Sequence, residues 1–211
     1  MSGAGKRRGS IILPPPVERL LVEAEAIWRA FDADVVTGWQ GFIPAVYPDV
    51  YLALKRLKEG ASTFLEWGSG IGTVAIMADM LGYESYGIEI HPQLVERAEA
   101  LAARFGSRAQ FACGTFIPED YRPRAQADDD DVAHTELGGT PGYEEIGLSL
   151  DDFDVVYGYP WPGEEAFFED VFDQLGRPDA ALVCYHSLDH VQVHRMTEKT
   201  RRRRLREARE R

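Results

Sequence analysis

The stretch Thr63-Phe-Leu-Glu66-Trp-Gly68-Ser69-Gly70-Ile-Gly72-Thr73 holds the residue types from which a ligand cradle is built. An apolar run ends on an acid, passes three glycines at alternate positions and enters an apolar helical pattern. Glycine permits a tight turn and lets a ligand approach the backbone, because no Cβ stands in the way. The spacing then selects the ligand. Gly-x-Gly-x-x-Gly places a pyrophosphate on a helix N-terminus. Here the third glycine arrives one residue early. Glu66 lies directly beneath the turn, where its charge repels a pyrophosphate and favours a cationic amino group. A second acid, Glu89, closes Tyr86-Gly-Ile-Glu89-Ile90, 23 residues further on. A carboxylate there accepts two hydrogen bonds from ribose hydroxyls, which nicotinamide-dinucleotide enzymes also use.

Other stretches carry reactive side chains. In Phe153-Asp-Val-Val-Tyr157-Gly-Tyr159-Pro-Trp161-Pro-Gly-Glu164, Tyr159 offers a hydroxyl that orients an acceptor. Trp161 offers an indole face for a flat or cationic group, and Glu164 a carboxylate that takes a proton. The alternative is that Tyr-Pro-Trp-Pro only shapes a turn. His186, His190 and His194 lie four apart, which on a helix suggests a metal. The segment reads instead as strand, turn at Ser187–Asp189, and strand, so no metal is expected. His186, ending a strand, is a candidate base. Asp128–Asp131 reads as a solvated linker rather than a cation site. Trp39-Gln-Gly-Phe42 is either a lid over the ligand or packing beneath a loop. Cys113 and Cys184 fall within strands and are expected to be buried, inert thiols.

Helices and strands must position these groups. Val17, Leu20, Leu21, Ala24, Ile27, Trp28 and Phe31 recur at helical spacing after Pro16. A second helix is expected over Pro48–Glu59, stopped by Gly60. From residue 61 the pattern alternates: strand Thr63–Trp67, helix Thr73–Leu81, strand Ser85–Ile90, helix Gln93–Phe105, strand Ala109–Cys113. Residues 117–150 lack apolar periodicity and read mostly as a loop. Strand Phe153–Tyr157, helix Gly163–Leu175, strand Ala180–Tyr185 and a short strand Val191–Arg195 follow. Such alternation implies right-handed crossovers and a doubly wound, mostly parallel α/β sheet with helices on both faces. About six to seven strands are expected, preceded by the two N-terminal helices.

Composition sets the class. The 211 residues, 45% hydrophobic and 27% charged, suffice for one globular domain. No apolar run reaches the roughly 20 residues of a membrane span, and the start is too short in apolar residues for a signal peptide. Two cysteines make neither a disulfide framework nor a four-cysteine zinc site, which favours a reducing cytoplasm. The net charge of −12 is uneven: residues 195–211 carry nine Lys/Arg and three Asp/Glu. The acidic body disfavours a nucleic-acid partner, and the tail reads as solvated and partly frayed.

Glu66-x-Gly68-x-Gly70-x-Gly72 after a first strand, with Glu89 ending the second, resembles the class I, Rossmann-like S-adenosylmethionine-dependent methyltransferases. The resemblance implies a binding domain over 61–196 with an acidic insertion at 117–150. Outside it lie a flexible start at 1–16, a helical segment at 17–60 and a basic tail at 197–211. S-adenosylmethionine is the implied cofactor. Glu66, Gly68, Ser69, Gly70, Gly72 and Thr73 would face it, and Glu89 would hold its ribose. Ile90, Thr115 and Phe116 would lie along the adenine, with Tyr157 ending the strand nearest the methyl group. Members acting on amide or base nitrogens often carry Asp/Asn-Pro-Pro-Tyr/Phe where this chain has Tyr159-Pro-Trp161-Pro. An amine or protein side chain is therefore expected as acceptor rather than a nucleobase. A cofactor-binding regulator without activity and an aminopropyl-type transferase are the alternatives on this fold; the glycine spacing and Glu66 disfavour an NAD(P) oxidoreductase.

Overall fold

Two helices, α1 (Pro15–Asp34) and α2 (Tyr47–Leu57), precede the sheet. Then follow β1 (Thr63–Trp67), α3 (Thr73–Met80), β2 (Glu84–Glu89), α4 (Pro92–Phe105) and β3 (Gln110–Cys113). A four-residue helix, α5 (Tyr143–Ile146), leads to β4 (Val155–Gly158), α6 (Glu165–Leu175), β5 (Ala181–His186), β6 (His190–His194) and α7 (Glu198–Glu207). The computed structural model describes residues 11–34, 46–123, 135, 138–186 and 190–207. Trp39–Phe42, Asp128–Asp131, Ser187–Asp189 and the chain start lie outside the described residues, as do the side chains of His186 and His190.

The sheet has six strands in the order β3-β2-β1-β4-β5-β6. All neighbours pair in parallel except β5 and β6, which are antiparallel. The order reverses between β1 and β4, the place where open α/β sheets leave a crevice at their carboxyl edge. β1 and β4 are apolar and covered on both faces, as parallel strands must be. One face packs Val17 and Leu20 of α1 and Val50 and Leu54 of α2 with α3 and α4. The other packs Phe168, Val171 and Phe172 of α6 with Tyr143, Leu150 and Phe153. No described helix is long and apolar enough to cross a membrane.

Within 117–150 the described residues include α5, and a 3₁₀ turn follows at Leu150–Asp152; elements of three or four residues are too short to show a period in the sequence. Two expectations need correction. Cys113 is exposed, because β3 is an edge strand and Cys113 its last residue; Cys184 is buried. The tail is not frayed over 198–207. Arg204 is buried and donates to the carbonyls of Leu175 (3.2 Å) and Gly176 (3.4 Å), where α6 ends. A cation there meets the negative end of a helix dipole. Arg201 Nε donates to Asp179 at 2.7 Å.

His194 clamps the edge strand to α6. Its Nε2 lies 2.9 Å from Asp173 Oδ1 and its Nδ1 3.6 Å from Glu169 Oε1, with the ring edge-on to Phe172. The Asp173 bond raises its pKa above the ordinary imidazole value; burial opposes this, and the Glu169 and Asp173 charges add to it. The charged form therefore stabilises the fold fully below about pH 6.5, and that contribution fades as pH rises through the higher folded value. Denaturant titrations of His194→Gln should show about 1 kcal/mol less stability at pH 5.5, and a smaller loss above neutrality. An equal loss at both pH values would remove the charge from the argument.

Candidate ligand-binding site

The turn after β1 is built from left-handed backbone. Gly72 has φ +74° and opens α3. Its N–H donates to the Ser69 carbonyl at 2.7 Å, and its own carbonyl accepts from Ile76 at 2.9 Å. A Cβ on Gly72 would stand 2.4 Å from the Phe111 ring and 3.1 Å from Ala98. The glycine thus lets the turn settle directly onto β3 and α4.

Both acids close on this turn. Glu66 is buried, and its Oε2 accepts from the Ala75 N–H in the first turn of α3 at 2.8 Å. Burial pushes its carboxyl well above the usual range, the Ala75 bond pulls it down, and the Glu89 charge pushes it up. Glu89 Oε2 accepts from the Gly70 N–H at 2.8 Å and Oε1 from the His91 N–H at 3.0 Å. The end of β2 is thereby tied to the glycine turn, and each carboxylate oxygen keeps acceptor capacity for a further donor.

The turn, the two acids and the end of β4 surround a half-open cavity of about 150 Å³. Of the expected residues, Glu66, Gly68, Ser69, Gly70, Thr73, Glu89, Tyr157 and Tyr159 line it. Tyr157 is buried; its phenol is pushed up by burial first and by the Glu66 charge second. The Tyr159 ring is set edge-on against Tyr185, with centroids 5.0 Å apart.

The other expected residues lie elsewhere. Gly72 shapes the turn without lining the cavity. Phe116 stacks on Trp67 at 4.9 Å, within the core on the α6 side. Thr115 is buried against the insertion: its N–H donates to the Thr140 carbonyl at 2.9 Å, and its carbonyl accepts from Gly142 at 3.0 Å. Ile90 is half-buried beside Gly139. Trp161 is exposed and Glu164 buried at the head of α6, where Glu164 accepts from the Thr135 N–H (3.0 Å) and hydroxyl (2.5 Å).

Two cavity residues come from the helices before the sheet. Trp28 of α1 lies over Gly70, its Cζ2 3.1 Å from where a Cβ would stand. Tyr47 opens α2 and joins Glu66, Thr73 and Tyr159. Burial, then the Glu66 charge, raise its phenol pKa. Nothing local in the sequence marks either residue, since Trp28 reads as one more apolar position of α1. A larger depression of about 430 Å³ runs along α7, but one helix alone lines it. Among the described residues no three His, Cys, Asp or Glu side chains are placed to hold a metal.

No family profile matches the chain. Ribosomal protein L11 methyltransferase of Thermus thermophilus is 38% identical over 63 residues, 30% of this chain and 25% of that protein. The match therefore spans a quarter of that relative's length. A methyltransferase from Geobacter sulfurreducens superposes with a TM-score of 0.51 at 12% identity, covering 82% of this chain and 75% of that one. A hypothetical protein of Thermus thermophilus gives 0.51 at 16% identity, covering 77% and 92%. The fold is the Rossmann-like fold of the class I methyltransferases.

Proposed function

We propose that this protein binds S-adenosylmethionine and transfers its methyl group to an amine. One observation carries the reading: Glu66 and Glu89, from adjacent strands, open with the glycine turn on a single cavity where the strand order reverses. The donor set fits the cofactor. Glu89 has acceptor capacity for ribose hydroxyls, and Glu66 for an amino group. Gly70 presents bare backbone, and no lysine or arginine is among the described residues lining the cavity to hold a pyrophosphate. S-adenosylmethionine supplies an electrophilic methyl on a sulfonium, which an acceptor takes by in-line displacement. Positioning and exclusion of water are then the protein's main tasks. Tyr157 and Tyr159, ending β4, orient the acceptor beside the acids.

Calorimetric titration tests this directly. S-adenosylmethionine and S-adenosylhomocysteine are expected to bind at micromolar concentrations, and NADH not to bind. Folded protein that ignores both sulfur ligands would end the methyltransferase reading. Tyr159→Phe should lower turnover about tenfold, the worth of one hydrogen bond of about 1.4 kcal/mol, and leave S-adenosylhomocysteine affinity unchanged. Unaltered turnover would remove its hydroxyl from the mechanism. A second reading, cofactor binding without turnover, is favoured by Glu164, whose carboxylate is engaged by Thr135 rather than presented to the cavity. Incorporation of labelled methyl separates the two.

A further inference from the structure

The wall that α1 and α2 add to the cavity has its own chemistry. Trp28, Tyr47, Tyr157 and Tyr159 present one indole and three phenols around the buried Glu66. No Lys, Arg or His stands among the described residues lining the cavity. A phosphate or carboxylate entering here meets acidic and aromatic side chains and no counter-charge. An organic cation meets aromatic rings, which attract ammonium groups.

The geometry points to a primary alkylamine as the methyl acceptor, held where Tyr47, Tyr157 and Tyr159 line the cavity, with Trp28 completing the wall and Glu66 left to the cofactor's amino group. The inference rests on the methyltransferase reading and specifies its acceptor and two residues that select it. Charge conservation supports it. The amine enters after giving a proton to solvent, so its lone pair is free. As the nitrogen–carbon bond forms, the carbon–sulfur bond breaks and its electron pair stays on sulfur. The positive charge moves from sulfur to nitrogen, and the product is a methylated ammonium. A cavity that stabilises a cation at both ends of that short transfer stabilises the state between them. The phenols assist as neutral groups. Burial holds Tyr47 and Tyr157 protonated, so they add hydrogen bonds without adding charge. The same alkylamine occurs on a free small molecule or at the end of a lysine side chain.

The test uses the full chain and methyl-labelled S-adenosylmethionine with three acceptor sets: n-butylamine and related free amines, polylysine, and the four ribonucleosides. Label is expected in an alkylamine; the first two sets tell the free molecule from the lysine side chain. Tyr47→Phe should raise the amine KM at least tenfold and leave the S-adenosylhomocysteine Kd within twofold. The retained Kd also reports that the variant is folded. Label confined to nucleosides, or no label in any amine by protein that binds S-adenosylhomocysteine, overturns the inference alone. So does a Tyr47→Phe variant that loses affinity for S-adenosylmethionine while its amine KM is unmoved, since the phenol then serves the sulfonium. Absence of S-adenosylhomocysteine binding, seen first by calorimetry, overturns the underlying reading and the inference with it.

Discussion

Gly72→Ala is expected to lower the unfolding free energy by about 2–5 kcal/mol, read as a shifted urea midpoint. Two penalties add. A non-glycine residue held at φ +74° pays about 1–2 kcal/mol for left-handed backbone. The new methyl also meets the Phe111 ring at 2.4 Å, and a ring fixed between β2, α4 and the turn does not retreat freely. Overpacking of that kind adds about 1–3 kcal/mol. Gly68 is the internal control. It has φ +62°, yet a Cβ there meets nothing within 4 Å. Gly68→Ala should therefore cost about 1 kcal/mol, the backbone penalty alone. Equal losses at the two positions would show that the turn relaxes and that the contact with β3 is unimportant.

The second large effect is on affinity. Glu89→Ala should weaken S-adenosylhomocysteine binding at least about 100-fold by calorimetry. Hydrogen bonds to a charged group are worth about 1.5–3 kcal/mol each, and 100-fold is about 2.7 kcal/mol, so losing two ribose bonds suffices. The substitution also frees the Gly70 and His91 N–H groups, so the turn loses its tie to β2. Glu89→Gln distinguishes charge from shape. Its amide nitrogen cannot accept, so one of those two N–H groups loses its partner. Its affinity should fall nearly as far. Binding within threefold of the wild type in both variants would place the ribose elsewhere.

Much of this architecture is legible in the sequence, for identifiable reasons. β1, β2 and β3, and likewise β4 and β5, are short apolar runs separated by helical patterns, so those crossovers follow from periodicity, whereas the link from β3 to β4 shows none. Glu66, the glycines and Glu89 are legible because local backbone geometry places them: each lies at a strand end or forms the turn that follows one. Trp28 and Tyr47 are different. They reach the cavity only because α1 and α2 pack back across the sheet, a long-range contact with no local signature. Glu164 and Phe116 stand away from the cavity. Their sequence positions lie next to strand ends, yet Glu164 is taken by Thr135 and Phe116 by the Trp67 stack. The burial of Arg204 likewise depends on the Gly176 carbonyl just past α6, 28 residues earlier, which composition does not reveal.

The reversal of β6 has an electrical consequence. Because it runs against β5, it carries the chain back to the amino edge of the sheet, and α7 is delivered there beside Asp179 and the end of α6. That helix holds six basic and two acidic residues, while Glu66 and Glu89 open at the opposite edge. The basic helix and the cavity thus lie at opposite edges of the sheet, so a polyanion drawn to α7 is held away from the cavity, and added salt weakens that attraction.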